Sequence, residues 1–241
     1  MKRISDFTSI LKAEIIKENV RYIAYIVLLC TLLLGLAIYK ICAFSVDYTE
    51  MNLDSYYCVV LFTVGLLIVL PAGVWLININ EVAIEKSNRG WLLVCASSQN
   101  RKRIIIAKHI VNIFIAALFY ILLFLEASIV MRVRGMEVLF QVLLIPLCVS
   151  FFATIPQLLL VQFFCYIVEN DVITIMTGLL YTILTFSLAH TKYSDYLFTT
   201  YPYSISATFE NVLPKVLVCV ILEIVLMVLG GIPLKIIQKR I

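Results

Sequence analysis

Six apolar runs divide the chain, roughly Tyr22–Ile41, Tyr57–Ile79, Ile110–Val130, Val138–Val168, Val172–Ala189 and Val212–Ile232. A helix needs about 20 residues to cross a hydrocarbon core about 30 Å thick, so these runs predict six membrane spans. The fourth run, at 31 residues, is too long. As a helix it would reach about 46 Å. Pro146 and Pro156 lie inside it, which predicts a kink or a break. A tilted and kinked packing helix is the plainer reading. Ahead of the first run, Ile4, Phe7, Leu11 and Ile15 recur on one helical face, while Lys2, Arg3, Lys12 and Lys17 take much of the rest. That pattern predicts an amphipathic interfacial helix within 1–21.

Composition agrees with the pattern. Of 241 residues, 63% are hydrophobic and 14% charged, with mean hydropathy +1.04, too few charges to clothe a water-soluble domain. With six spans there is no room for a soluble catalytic domain of about 100 residues. A net charge of +4 is too small to argue for nucleic acid. Where the positive charges lie is more telling. Lys2, Arg3, Lys12, Lys17 and Arg21 precede the first span. Lys86, Arg89, Arg101, Lys102, Arg103 and Lys108 follow the second, and Lys235, Lys239 and Arg240 end the chain. The other side has Lys40, Arg132, Arg134, Lys192 and Lys215. The positive-inside rule therefore expects both termini and the loop after the second span to be cytoplasmic, although Arg132 and Arg134 run against it. The first apolar run is long enough to span and no small-residue cleavage site follows it, so it reads as a span rather than a signal peptide. None of the seven cysteines has zinc-ligand spacing. Cys42 and Cys58 sit where either a disulfide or two free thiols would fit.

The longest polar stretch, 78–109, follows the second span. Glu81 and Glu85 are one helical turn apart. The patch from Trp91 to Val94 is too short to cross a bilayer, Ser97-Ser98-Gln99-Asn100 reads as a turn, and Arg101-Lys102-Arg103 opens the next helix at the membrane surface. A short amphipathic helix between two spans looks built to dock; the alternative is a solvated loop whose charges enforce topology. The order Glu81, Glu85, Lys86, Gly90, Trp91, Leu92, Leu93, Ser97-Ser98, Arg101 and Lys108 resembles the coupling segment of type-two ABC exporter permeases. The arrangement over the whole chain is similar to theirs too. The stretch 201–209 (Tyr-Pro-Tyr-Ser-Ile-Ser-Ala-Thr-Phe) resembles the aromatic-proline segment of the lantibiotic-immunity permeases. Asp54-Ser55-Tyr56-Tyr57 resembles their aromatic entry to the second span, without the tryptophans common there.

The resemblance implies an all-α integral membrane fold of one domain, 1–241, with six transmembrane helices. It also implies a cytoplasmic coupling helix between spans 2 and 3, and a re-entrant external segment, 190–211, before span 6. It implies a permease in a bacterial cell membrane, paired with a second, different permease chain and a cytoplasmic ABC ATPase dimer. Such an assembly expels a membrane-active, amphipathic peptide, giving lantibiotic immunity or resistance. ATP and Mg would be bound by the partner ATPase; the eight glycines begin no GxxxxGK[ST] loop, so no hydrolysis is expected of this chain and no cofactor is expected to bind it directly.

Candidate substrate contacts are the external aromatics Tyr196, Phe198, Tyr201 and Tyr203, which either line a vestibule or anchor the segment at the interface. Glu223, in the middle of the last span, joins them. A carboxylate there is expected to be protonated, paired or facing a wet cavity, either as a functional group or as a packing bond. Glu126, near the outer end of the third span, can reach the interface or Arg132. Rival classes remain: another ABC exporter for drug, lipid or ion, a proton-coupled carrier using Glu223, or a scaffold. An intramembrane protease is disfavoured, because His109 and His190 are expected at opposite membrane faces and neither HExxH nor a GxSxG-like elbow is present.

Overall fold

The computed structural model describes residues 2–17, 24–25, 27–29, 31–36, 39–40, 72–80, 82, 101–133, 140–168, 170–189, 191–201 and 211–229. Glu81, Glu85, Lys86, Gly90, Trp91, Leu92, Leu93, Tyr203, Cys42 and Cys58 lie outside the described residues, so the docking helix and the disulfide question do too. Among the described residues helix is the only extended regular structure. Its long elements are α1 (Lys2–Lys17), α2 (Arg101–Val133), α3 (Phe140–Ile167), α4 (Asp171–Ala189) and α5 (Val212–Leu229), with a 3₁₀ turn at Phe198–Thr200. The last four contain stretches long and apolar enough to cross a membrane. Shorter helical pieces, including Val27–Leu36 and 72–80, fall within the first two expected spans.

Large side chains such as Leu213, Leu217, Ile221, Ile224 and Val228 of α5 point away from the protein. Only 11% of the α5 membrane window is buried, against 61% of the α3 window, Leu143–Ile167. A solvent that accepts such a face is hydrocarbon. The contrast also makes α3 the hub of the bundle.

The hub is the helix expected to kink or break. It does not break: α3 runs as one helix through both Pro146 and Pro156. A proline in a buried membrane helix is tolerated where neighbours surround the backbone, and α3 has neighbours on most sides. Small residues let them come close: Val149 and Ala153 pack with Tyr201 and Cys219. Further along, Leu159 and Phe163 pack with Ile105 of α2, and Leu226 of α5 joins them. The order of these contacts makes α3 and α5 parallel. On α2 the order reverses, since Ile105 meets Leu159 while Tyr120 and Thr154 share a 2.8 Å hydroxyl hydrogen bond. So α2 and α3 are antiparallel.

The turn from α3 into α4 is made by Asn170, whose side-chain oxygen accepts from Val172 N–H at 2.9 Å, an N-cap. Gly178 of α4 gives the indole of Trp75 its seat: a Cβ there would lie 2.9 Å from two ring atoms. Trp75 also meets Phe164 edge-on, ring centroids 5.2 Å apart. This joins the 72–80 helix to α3 and α4 in one apolar cluster with Val82, Leu158, Val161, Cys165 and Tyr166.

The amphipathic α1 forms where expected and packs on α2. Phe7 and Leu11 are half-buried, Ile15 is 49% exposed and Glu14 beside it only 2%. The most deeply buried described side chain of α1 is an acid, because it meets a cation.

Candidate functional site: two adjacent ion pairs at the start of α2

Lys108 and His109 are consecutive residues on the third turn of α2, about 100° apart around the helix. They grip two different helices. Lys108 Nζ lies 3.5 Å from Glu14 Oε2 of α1, both side chains almost fully buried. His109 Nε2 lies 2.7 Å from Glu223 Oε1 of α5, with His109 fully buried and Glu223 13% exposed. Breaking a buried pair by removing one partner costs about 3–5 kcal/mol, since the other charge stays behind.

The pairs sit among buried amides. On α2, Ile105, His109, Asn112 and Ala116 recur at helical spacing. Ile105 belongs to the Leu159–Phe163 cluster and Ala116 packs on the Trp75 cluster, so His109 and Asn112 lie on the face that joins the two. On the 72–80 helix, Asn78 lies between Val74, Trp75 and Val82 of the Trp75 cluster and is fully buried. On α3, Gln162 is fully buried between Leu158, Leu159, Phe163 and Cys165, which belong to both clusters. Several polar atoms here make no hydrogen bond among the described residues: His109 Nδ1, Glu223 Oε2, Asn78 Oδ1, Gln157 Nε2 and both amide atoms of Gln162. Each costs about 1–3 kcal/mol if left so. Polar atoms of this kind in a membrane bundle mark places where water, a proton or a polar substrate is handled.

The expected substrate residues do not form one group. Glu223 is paired with His109 on the side of the bundle where α2 begins. Lys215, eight residues earlier on α5 and so about 12 Å away, belongs to the other end. There Lys215 Nζ meets Asp195 Oδ1 at 2.7 Å and lies 5.5 Å from the centroid of the Tyr201 ring. Tyr201 is buried against Val149, Ala153 and Cys219, with Phe198 packed alongside. Thr200 Oγ1 ties the turn down by donating to Ser194 O at 2.6 Å. Tyr196, at 80% exposed, faces outward. The described aromatics thus sort into a buried Tyr201, a half-buried Phe198 and an exposed Tyr196. Burial, then the nearby Cys219 and Asp195 groups, holds the Tyr201 phenol above its ordinary range.

His109 lies inside the bundle with no exposed surface. Its pairing was readable only in part: the chain has two histidines and one mid-span acid in its last span, so a match was available, but the register that brings them together is tertiary. Glu14 gave no signal beyond its place on an amphipathic helix. Glu126 does not meet Arg132 among the described residues. It packs against Gly35, where an added Cβ would collide with its Oε1.

Among the described residues no three His, Cys, Asp or Glu side chains converge as a metal site. None of the family models, curated proteins or solved structures compared with the chain matches it. The chain is, by its own fold, an all-helical protein built around helices that can cross a membrane.

Proposed function

We propose that this chain is the membrane-spanning permease subunit of an ABC exporter that expels a membrane-active, amphipathic peptide with ATP hydrolysed by a separate subunit. One observation carries the reading. The polar stretch with the coupling-segment pattern leads directly into α2, and α2 opens with the Lys108–His109 clamp on α1 and α5. A push on that stretch by a nucleotide-driven partner would reach the interfacial helix and the last span through these two side-chain pairs.

In this reading the Arg101 end of the bundle is cytoplasmic and the Asp195–Tyr201 cap is external. Glu81, Glu85 and Trp91 seat the coupling helix on the ATPase. The test is expression with candidate ATPase and second-permease chains, followed by affinity isolation and peptide-sensitivity assays. Trp91→Ala with Glu85→Lys should insert normally yet lose the ATPase, because a buried aromatic anchor is commonly worth about 2 kcal/mol or more. Retained ATPase binding and resistance in that double variant refutes the reading.

A second reading rests on the His109–Glu223 pair: a carrier driven by protons, in which the pair takes up and releases the coupling proton. Proton-gradient-driven substrate uptake by the isolated chain in vesicles, lost in Glu223→Gln, would favour it.

A further inference from the structure

A groove of about 860 Å³ runs between the first-span helix and α2. It follows α2 from Val111 to Val130, which is about 28 Å and close to the full thickness of a hydrocarbon core. One end abuts Leu11 and Ile15 of α1. The walls are aliphatic and aromatic, with Val27, Phe114, Leu118 and Leu122 among them. The volume falls in the range of about 300–1,000 Å³ usual for small-ligand sites.

Among the described residues two polar side chains line it, Thr31 and Glu126. The Thr31 hydroxyl is satisfied within its own helix, donating to Leu28 O at 3.0 Å. Glu126 is not: its Oε2 is buried and has no hydrogen-bond partner among the described residues. Gly35 is what allows the carboxyl to lie there, since any larger residue would occupy the place of Oε1. The groove therefore combines a long apolar trough with one carboxyl near the end far from α1. An ionised carboxylate in such surroundings is expensive unless a cation faces it.

We propose that this groove is a binding site for a cationic amphiphile, which enters sideways from the bilayer, lays its apolar body along Phe114, Leu118 and Leu122, and sets its ammonium group against Glu126. Charge complementarity chooses this occupant over a neutral lipid chain. An acyl chain alone would fill the trough but leave the carboxyl uncompensated, and an anionic amphiphile would be repelled. The inference stands apart from the transport reading, because the site needs no ATPase to bind.

The test uses the full chain in a neutral maltoside detergent and two nitroxide-labelled probes, a dodecyl trimethylammonium and a dodecyl alcohol, with immobilisation read by electron spin resonance. The native protein should bind the ammonium about tenfold more tightly than the alcohol. Glu126→Gln should erase that preference while leaving the alcohol's affinity unchanged. Leu118→Trp, which fills the trough, should weaken both probes, and Glu126→Asp should keep a reduced preference. Equal binding of the two probes by the native protein overturns the proposal. So does a preference that survives Glu126→Gln, and so does binding of neither probe, the result expected if a second copy of the chain covers the groove.

Discussion

His109 and Glu223 lie 114 residues apart in the chain and 2.7 Å apart in the structure, one near the start of α2 and the other midway along α5. The bond joins helices that otherwise meet little, since α5 packs chiefly on α3. Removing either partner should therefore loosen α5 specifically. Glu223→Ala and His109→Ala should each lower stability by about 3–5 kcal/mol, the usual cost of stranding one half of a buried pair. His109→Leu combined with Glu223→Met should recover much of that loss. Unfolding in detergent, analysed as a double-mutant cycle, reads the coupling. Additive single effects would show that the pair does not act as a unit.

The neighbouring pair makes a separate prediction. Glu14→Ala removes from Lys108 a buried carboxylate and from α1 a polar tie. Hydrogen exchange across 2–17 should rise by about tenfold or more while exchange in α3 and α4 stays unchanged, because α1 docks chiefly on α2 among the long helices. The exchange of charges, Glu14→Lys with Lys108→Glu, should restore part of the protection. Unchanged exchange in Glu14→Ala would mean that Phe7 and Leu11 hold α1 by packing alone.

The difference between what the sequence signals and what the fold does follows from lipid being as apolar as a core. The runs that became α2 to α5 stand out because charge is sparse in them over the length of a bilayer, and Arg101 marks the start of α2 because a basic cluster ahead of an apolar run is easily read. Burial within those runs is another matter. Leu159 is packed and Leu160 faces outward, yet hydropathy scores them alike, so the hub role of α3 was hidden and its prolines suggested weakness where the bundle is most enclosed. Glu223 was conspicuous by the cost of an acid in hydrocarbon, but its partner depended on the register of α2 against α5. Glu14 ran against the apolar stripe because a buried cation on another helix outweighed its hydrophilicity. No local pattern carries that information.

Gly178 and Trp75 supply a steric prediction. Any side chain at 178 must displace a buried indole that already meets Phe164 and Tyr181. Gly178→Val should destabilise the protein by about 1–3 kcal/mol, the usual cost of overpacking. It should also change the emission of Trp75, read in a Trp91→Phe background since the chain has two tryptophans. Trp75→Leu should relieve the clash in the double variant. A Gly178→Val protein with native stability and unchanged emission would remove α4 from contact with the 72–80 helix.

The last prediction concerns the cap at the Lys215 end. The Tyr201 ring is buried against Ala153 and Cys219, and its phenol is held above the ordinary value of 10.0 first by that burial. A folded-state pKa above the unfolded one means that the neutral phenol contributes its full stability below about pH 10. That contribution is lost as the pH climbs from the unfolded value through the folded one. Tyr201→Phe keeps the ring and cannot ionise. The stability difference between native protein and Tyr201→Phe should therefore be flat from neutral pH to about 10, then move in favour of the variant at higher pH. Tyr201→Ala, which removes the ring itself, should cost about 3–5 kcal/mol at neutral pH, as other large aromatic truncations in cores do. Asp195→Asn should cost no more than about 1 kcal/mol, because Asp195 is mostly exposed and its bond to Lys215 is screened on that side. Denaturation followed over pH separates the three. A stability difference between native protein and Tyr201→Phe that stays constant through the alkaline range would show that the phenol ionises as freely in the fold as out of it, and that Tyr201 is not the buried anchor of the cap.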